Sequence, residues 1–193
     1  MTTAHYFAVA IAAGLCALGA RRDLGAPPLV VLAIYCAVCS CAWLLFGTAL
    51  ALTAAVGMVC LLIIETDRRL NLIPDTLVLA MLALSIATPF AGSPASSLIG
   101  AVVLGLTFLV VRQVGSARYG REAMGLGDVK LATAMGALLG PVPGFTAVAI
   151  GGAATLVTLI ARGGNQAIPQ GAPFGVGLAA ATMAVAIVRT LAL

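Results

Sequence analysis

Charge is what this sequence has least of. Only 8% of its 193 residues are charged, ten basic and six acidic. A soluble domain carries about a quarter charged residues to cover its surface, so a soluble enzyme is excluded. A disordered chain is excluded as well, because 62% of the residues are hydrophobic and the mean hydropathy is +1.17. The net charge of +4 does not point to nucleic acid, since the basic residues stand singly or in pairs between apolar runs. Histidine is nearly missing, and His5 suits a polar residue at a membrane interface better than a metal ligand. The five cysteines, Cys16, Cys36, Cys39, Cys41 and Cys60, all lie in apolar stretches. Cys36 and Cys39 form a Cys-x-x-Cys, but a structural zinc site needs four ligands and no second pair completes it. The expectation is therefore an all-α, polytopic membrane bundle forming one domain over residues 1–193, with no metal and no cofactor.

A spanning helix needs about 20 mostly apolar residues. Charges and Gly/Pro breaks leave about eight such segments. They run Tyr6–Ala20, Pro28–Phe46, Thr48–Ile64, Pro74–Phe90, Ala95–Val111, Gly127–Leu139, Phe145–Ala161 and Phe174–Leu191. The first lacks a basic stretch before it and is followed by Arg21 and Arg22, which reads as a retained span and not a cleaved signal. Alternate threading puts Arg21, Arg22, Arg68, Arg69, Arg112, Arg118, Arg121, Lys130 and Arg162 on one side and only Arg189 near the other. The basic side is then cytoplasmic, with both termini outside. The cytoplasmic loops Glu65–Ile73, Arg112–Leu126 and Arg162–Pro173 carry nearly all the polar chemistry. The Arg112–Leu126 segment, with Gly115, Ser116 and Gly120, reads as a loop mobile enough to allow closure over a substrate.

The acids are the informative residues. Asp23 follows Arg21 and Arg22 and reads as their solvated partner, whereas Glu65, Asp67, Asp75 and Asp128 fall at cytoplasmic ends of spans. Ionisable groups at that depth are costly and usually carry function or face a paired interior. Asp67 and Asp128 reach the same interface in this topology. Two aspartates brought together can share a proton, because like charges a few ångströms apart cannot both ionise cheaply. One then acts as general base on water while the other polarises a carbonyl and protonates the leaving amine. Gly125 and Gly127, flanking Leu126 just before Asp128, would let the backbone bend and a substrate strand approach. Other readings stand beside this one. Asp75 follows Pro74 and suits the first turn of a helix, and Glu65 suits a helix end at the headgroups. Lys130 could snorkel to the interface or hold the charge of Asp128. A proton or ion pathway could use the same acids, although no internal repeat of the kind transporters carry is visible.

The run from Asp67 to Pro74 and Asp75, with Pro seven positions after the first aspartate, resembles the first motif of the type IV prepilin peptidases. Gly125-Leu126-Gly127-Asp128, followed by Val129, Lys130 and Leu131, resembles their second, the GxGD motif of a class of intramembrane aspartyl proteases. Gly171–Gly177 resembles the Pro-Phe-Gly segment of the bacterial members, and the core motifs fall within residues 56–177. The resemblance implies a membrane aspartyl endopeptidase of the inner membrane, removing short basic leader peptides from prepilins or pseudopilins at the cytoplasmic face. It implies Asp67 and Asp128 as catalytic residues, with Gly125, Gly127, Lys130, Pro74 and Asp75 as supporting motif positions. Its partners would be those substrates and membrane lipid, not nucleic acid. Many bacterial members also carry an N-terminal region of paired Cys-x-x-Cys motifs and methylate the new N-terminus. Here the connection after the first span is only about Arg21–Ala26, so a compact peptidase without methyltransferase activity is expected. The alternatives are a small proton- or ion-coupled transporter and a non-catalytic component of pilus or secretion assembly.

Overall fold

The structure is a computed structural model that describes residues 3–120, 122, 124–161 and 174–192. Arg121, Arg162 and the expected Arg162–Pro173 loop, including the start of the Pro-Phe-Gly segment, lie outside the described residues. Eight α-helices follow one another in the described residues: α1 (Thr3–Leu24), α2 (Pro28–Phe46), α3 (Thr48–Leu70), α4 (Asp75–Ala87), α5 (Pro94–Tyr119), α6 (Leu126–Leu139), α7 (Pro141–Ala161) and α8 (Phe174–Leu191). A short 3-10 turn at Pro89–Ala91 joins α4 to α5. Among the described residues, α2, α3, α5, α7 and α8 are long and apolar enough to cross a membrane. The chain is a multi-pass helical membrane bundle.

The helix ends follow local chemistry; only α2 and α8 match the expected spans at both ends, and α3 and α5 overrun theirs the furthest at a single end. α5 starts on Ser93, whose side chain accepts from the Ser96 amide at 3.1 Å, with Pro94 in its first turn. It then continues past Val111 to Tyr119 and stops at Gly120, which takes the left-handed conformation at φ 66. Likewise α3 continues past Ile64 to Leu70 and stops at Asn71, at φ 49 and ψ 40. Apolarity ends where the lipid ends, but a helix ends where a residue tolerates the left-handed turn. The expected Arg112–Leu126 loop is corrected accordingly: Gly115 and Ser116 are helical, and only the short stretch from Gly120 to Gly125 links α5 to α6.

Unlike a soluble domain, the bundle is apolar on its sides as well as in its core. Leu44, Leu45, Ile86, Leu156 and Val188 are exposed on its sides, a surface that only lipid tolerates. Its interior holds Tyr35, Ile63, Leu77, Met81, Leu131, Met135 and Leu178, all fully buried. Helix pairs close on small residues, as expected where the hydrophobic effect does not drive association. A Cβ on Gly100 of α5 or on Gly136 of α6 would fall on the other's backbone carbonyl, and one on Gly151 of α7 would lie 2.7 Å from the Gly177 carbonyl oxygen of α8.

Contacts at the two ends agree with alternating helix directions. At one end Arg189 near the end of α8 donates to the Phe90 carbonyl at 2.6 Å, and the Thr53 and Thr190 hydroxyls meet. At the other end the last turns of α1 and α3 converge with the first turns of α4, α6 and α8. This second end carries Arg22, Asp67, Asp75, Asp128 and Lys130 around one cleft.

Candidate active site

The cleft has a volume of about 500 Å³. Asp67 and Asp128 both line it, together with Arg22, Asp23, Pro74, Asp75, Thr76, Gly125, Gly127 and Lys130. Two segments 61 residues apart in sequence (128 minus 67) thus open onto one space. α4 and α6, at 13 and 14 residues, span only about 20 Å, short of the roughly 30 Å hydrocarbon core. Their first turns, which bear Asp75 and Asp128, form part of this recess between longer neighbours.

Asp67 sits in the last turn of α3 and is 6% exposed. Its backbone carbonyl accepts from the Asn71 amide at 3.0 Å, so the left-handed cap at Asn71 closes the turn that carries the carboxylate. Its Oδ2 accepts from the Val176 backbone N–H at 3.0 Å. Val176 is the third residue of α8, where backbone N–H groups have no acceptor within the helix. A buried carboxylate and an orphan amide therefore satisfy each other.

Asp128 is half-buried in the first turn of α6, where the helix dipole favours a carboxylate. Its side chain turns back to the Gly125 backbone, hydrogen-bonding the Gly125 amide, as the third residue of a capping box does.

The two motif glycines differ. Gly125 is exposed, and a Cβ there would meet nothing closer than Asp128 Oδ2 at 3.5 Å. At Gly127 a Cβ would lie 3.1 Å from the Cβ of Ile73, a buried residue of the α3–α4 connection. A side chain at Gly127 would thus press on Ile73, whereas one at Gly125 would meet only ordinary contacts. The same Ile73 reaches α8, where its Cδ1 would lie 2.8 Å from a Cβ on Gly175. One apolar side chain thus wedges between the first turns of α6 and α8.

Among the described residues, Lys130 forms no ion pair with Asp128. Its Nζ pairs with Asp75 Oδ1 at 2.7 Å, an ion pair joining the two motif segments at the rim. Asp75 opens α4 directly after Pro74, which has φ −66 and ψ 136. Glu65 pairs with Arg69 one turn on. Asp23 lines the cleft beside Arg22, and among the described residues no ion pair joins it to Arg21 or Arg22. Sequence reading missed two features. Arg112 Nη2 binds Glu122 at 2.7 Å and its Nε donates to the Met124 carbonyl at 3.0 Å, tying down the strand of chain before Asp128. Val176 contributes only a backbone amide; the Gly171–Gly177 segment marks its neighbourhood in the sequence, but not its partner.

A family model for the type IV leader peptidase family matches residues 54–160, more than half of the chain. The chain belongs to that family. No curated protein and no solved structure matches it. Membership of the leader peptidase family makes the general activity proteolytic, that of a hydrolase, and weighs against the transporter reading. The family match contains both aspartates, whereas Gly175 and Val176 of α8 lie beyond it.

Proposed function

We propose that the protein is a membrane aspartyl endopeptidase that removes short basic leader peptides from prepilin- or pseudopilin-like proteins, with Asp67 and Asp128 as the catalytic residues. The observation that carries this reading is the shared cleft: two carboxyl side chains, from α3 and α6, open onto one recess at the membrane end of the bundle. Two carboxyls so placed hold one proton between them more readily than two negative charges. The ionised member takes a proton from water, whose oxygen attacks the scissile carbonyl carbon. The protonated member hydrogen-bonds the carbonyl oxygen, and a proton passes to the leaving amine as the C–N bond breaks. No covalent intermediate with the protein is required.

The rim suits such a substrate. Asp23 lines the cleft and adds a negative charge to its rim, suited to a basic leader. The excess of Lys and Arg at this end supports a cytoplasmic active site in the inner membrane, where the leader of an inserted prepilin would lie. The α1–α2 connection is only Gly25–Pro27, which supports a single compact peptidase unit without a further cysteine-rich region or methyltransferase activity.

Co-expression with a prepilin-like protein tests the reading. The wild type should release the leader, Asp128→Asn should not, and N-terminal sequencing should place the cut just before the hydrophobic segment without a methyl group. Uncleaved substrate beside well-expressed wild type, across several candidate prepilins, would contradict it.

A further inference from the structure

The mechanism above needs Asp67 to present a carboxylate oxygen to the cleft, and α3 alone does not determine which one. Oδ2 is engaged by the Val176 N–H at 3.0 Å. The same oxygen lies against the Gly175 backbone so closely that a Cβ there would be 2.9 Å from Oδ2 and 3.1 Å from Cγ. Oδ2 is therefore held by α8, and Oδ1 is the oxygen left to face the cleft. We infer that the first turn of α8, through the Val176 amide and the bare Cα of Gly175, is a positioning element that fixes the catalytic rotamer of Asp67; this rests on the peptidase reading above.

The physical chemistry favours this role over simple packing. A short Asp side chain with a free terminal torsion adopts a broad range of orientations. A charge-assisted hydrogen bond from a rigid helix amide narrows that range, and it costs no intrahelical bond because amides in the first turn are otherwise unpaired. The Gly175 position adds a steric limit, since any side chain there would push the carboxylate away from the amide. α8 is itself seated by the backbone contact of Gly177 with Gly151 of α7, so the position of Asp67 depends on three helices.

Two routes disturb the contact independently. Val176→Pro deletes the N–H in a helix turn that tolerates proline, and Val176→Ala keeps the N–H and serves as its control. Gly175→Ala introduces the Cβ, and adding Ile73→Val removes the Cδ1 clash while leaving the Asp67 clash. Steady-state cleavage of a prepilin-derived substrate is measured in proteoliposomes, with melting temperature recorded for each protein. Val176→Pro and Gly175→Ala should lower kcat by roughly 10- to 100-fold, the loss expected for one charge-assisted hydrogen bond, with KM little changed. Val176→Ala should behave as wild type, and Ile73→Val should not restore Gly175→Ala. Full activity in Val176→Pro, restoration by Ile73→Val, or a fall in melting temperature that parallels the loss of rate would each overturn the inference. Asp67→Asn is run alongside: if it still cleaves, the peptidase reading itself fails, whereas an inactive Asp67→Asn with an active Val176→Pro removes only the role of α8.

Discussion

The two glycines of the Gly125-Leu126-Gly127-Asp128 segment should respond differently to the same added methyl group. At Gly127 the new Cβ would sit 3.1 Å from Ile73 Cβ, a few tenths of an ångström inside ordinary contact. Ile73 cannot retreat toward α8, because its Cδ1 already rests against Gly175. The first turn of α6 must move instead, and Asp128 is the next residue along. Overpacking of this kind costs about 1–3 kcal/mol. A displacement of a few tenths of an ångström at a reacting group fits a loss of about tenfold in rate, given that about 1 Å costs roughly a hundredfold. At Gly125 the nearest atoms lie at 3.5 and 3.9 Å, and φ is −66, a value any residue adopts. Gly125→Ala should leave stability within about 0.5 kcal/mol of wild type. The assay is leader cleavage by purified Gly125→Ala and Gly127→Ala, with thermal unfolding of each. Equal losses of stability in the two variants, or a greater loss in Gly125→Ala, would refute the steric argument.

Two further expectations concern the polar ties around the cleft. The Lys130–Asp75 pair has side chains 48% and 67% exposed, so Asp75→Asn or Lys130→Met should change unfolding free energy by no more than about 1 kcal/mol; a loss several times larger would mean the pair is desolvated in the membrane. Arg112→Ala releases both Glu122 and the Met124 carbonyl, and limited proteolysis at Arg118 should accelerate relative to wild type. An unchanged digestion rate would show that Arg112 is not what restrains this connection.

The convergence of Asp67 and Asp128 on one end of the bundle is legible in the sequence, because alternating apolar segments and one-sided basic residues place both at the same interface. The helix ends near them are less so. Hydropathy stops at Ile64 and Val111, but the helices continue through polar residues until Asn71 and Gly120 permit the left-handed turn. The reason for Gly127 is hidden as well, since its neighbour Ile73 comes from another helix connection and carries no motif of its own. Lys130 lies two residues from Asp128, yet pairs with an aspartate 55 residues earlier; proximity in sequence favours the wrong partner because successive residues of a helix face different directions. The Val176 contact with Asp67 is a backbone donor 109 residues away; the Gly171–Gly177 segment stands out in the sequence, but the carboxylate it meets does not.

The central claim is that Asp67 and Asp128 together hydrolyse a leader peptide. Its most direct test is turnover of a prepilin-derived substrate in proteoliposomes by wild type, Asp67→Asn and Asp128→Asn, each confirmed folded by its melting temperature. Loss of an essential general acid or base lowers the rate by about 10²–10⁴-fold, and each single variant should show a fall of that order with normal insertion. Near-normal turnover in either folded variant would contradict the account.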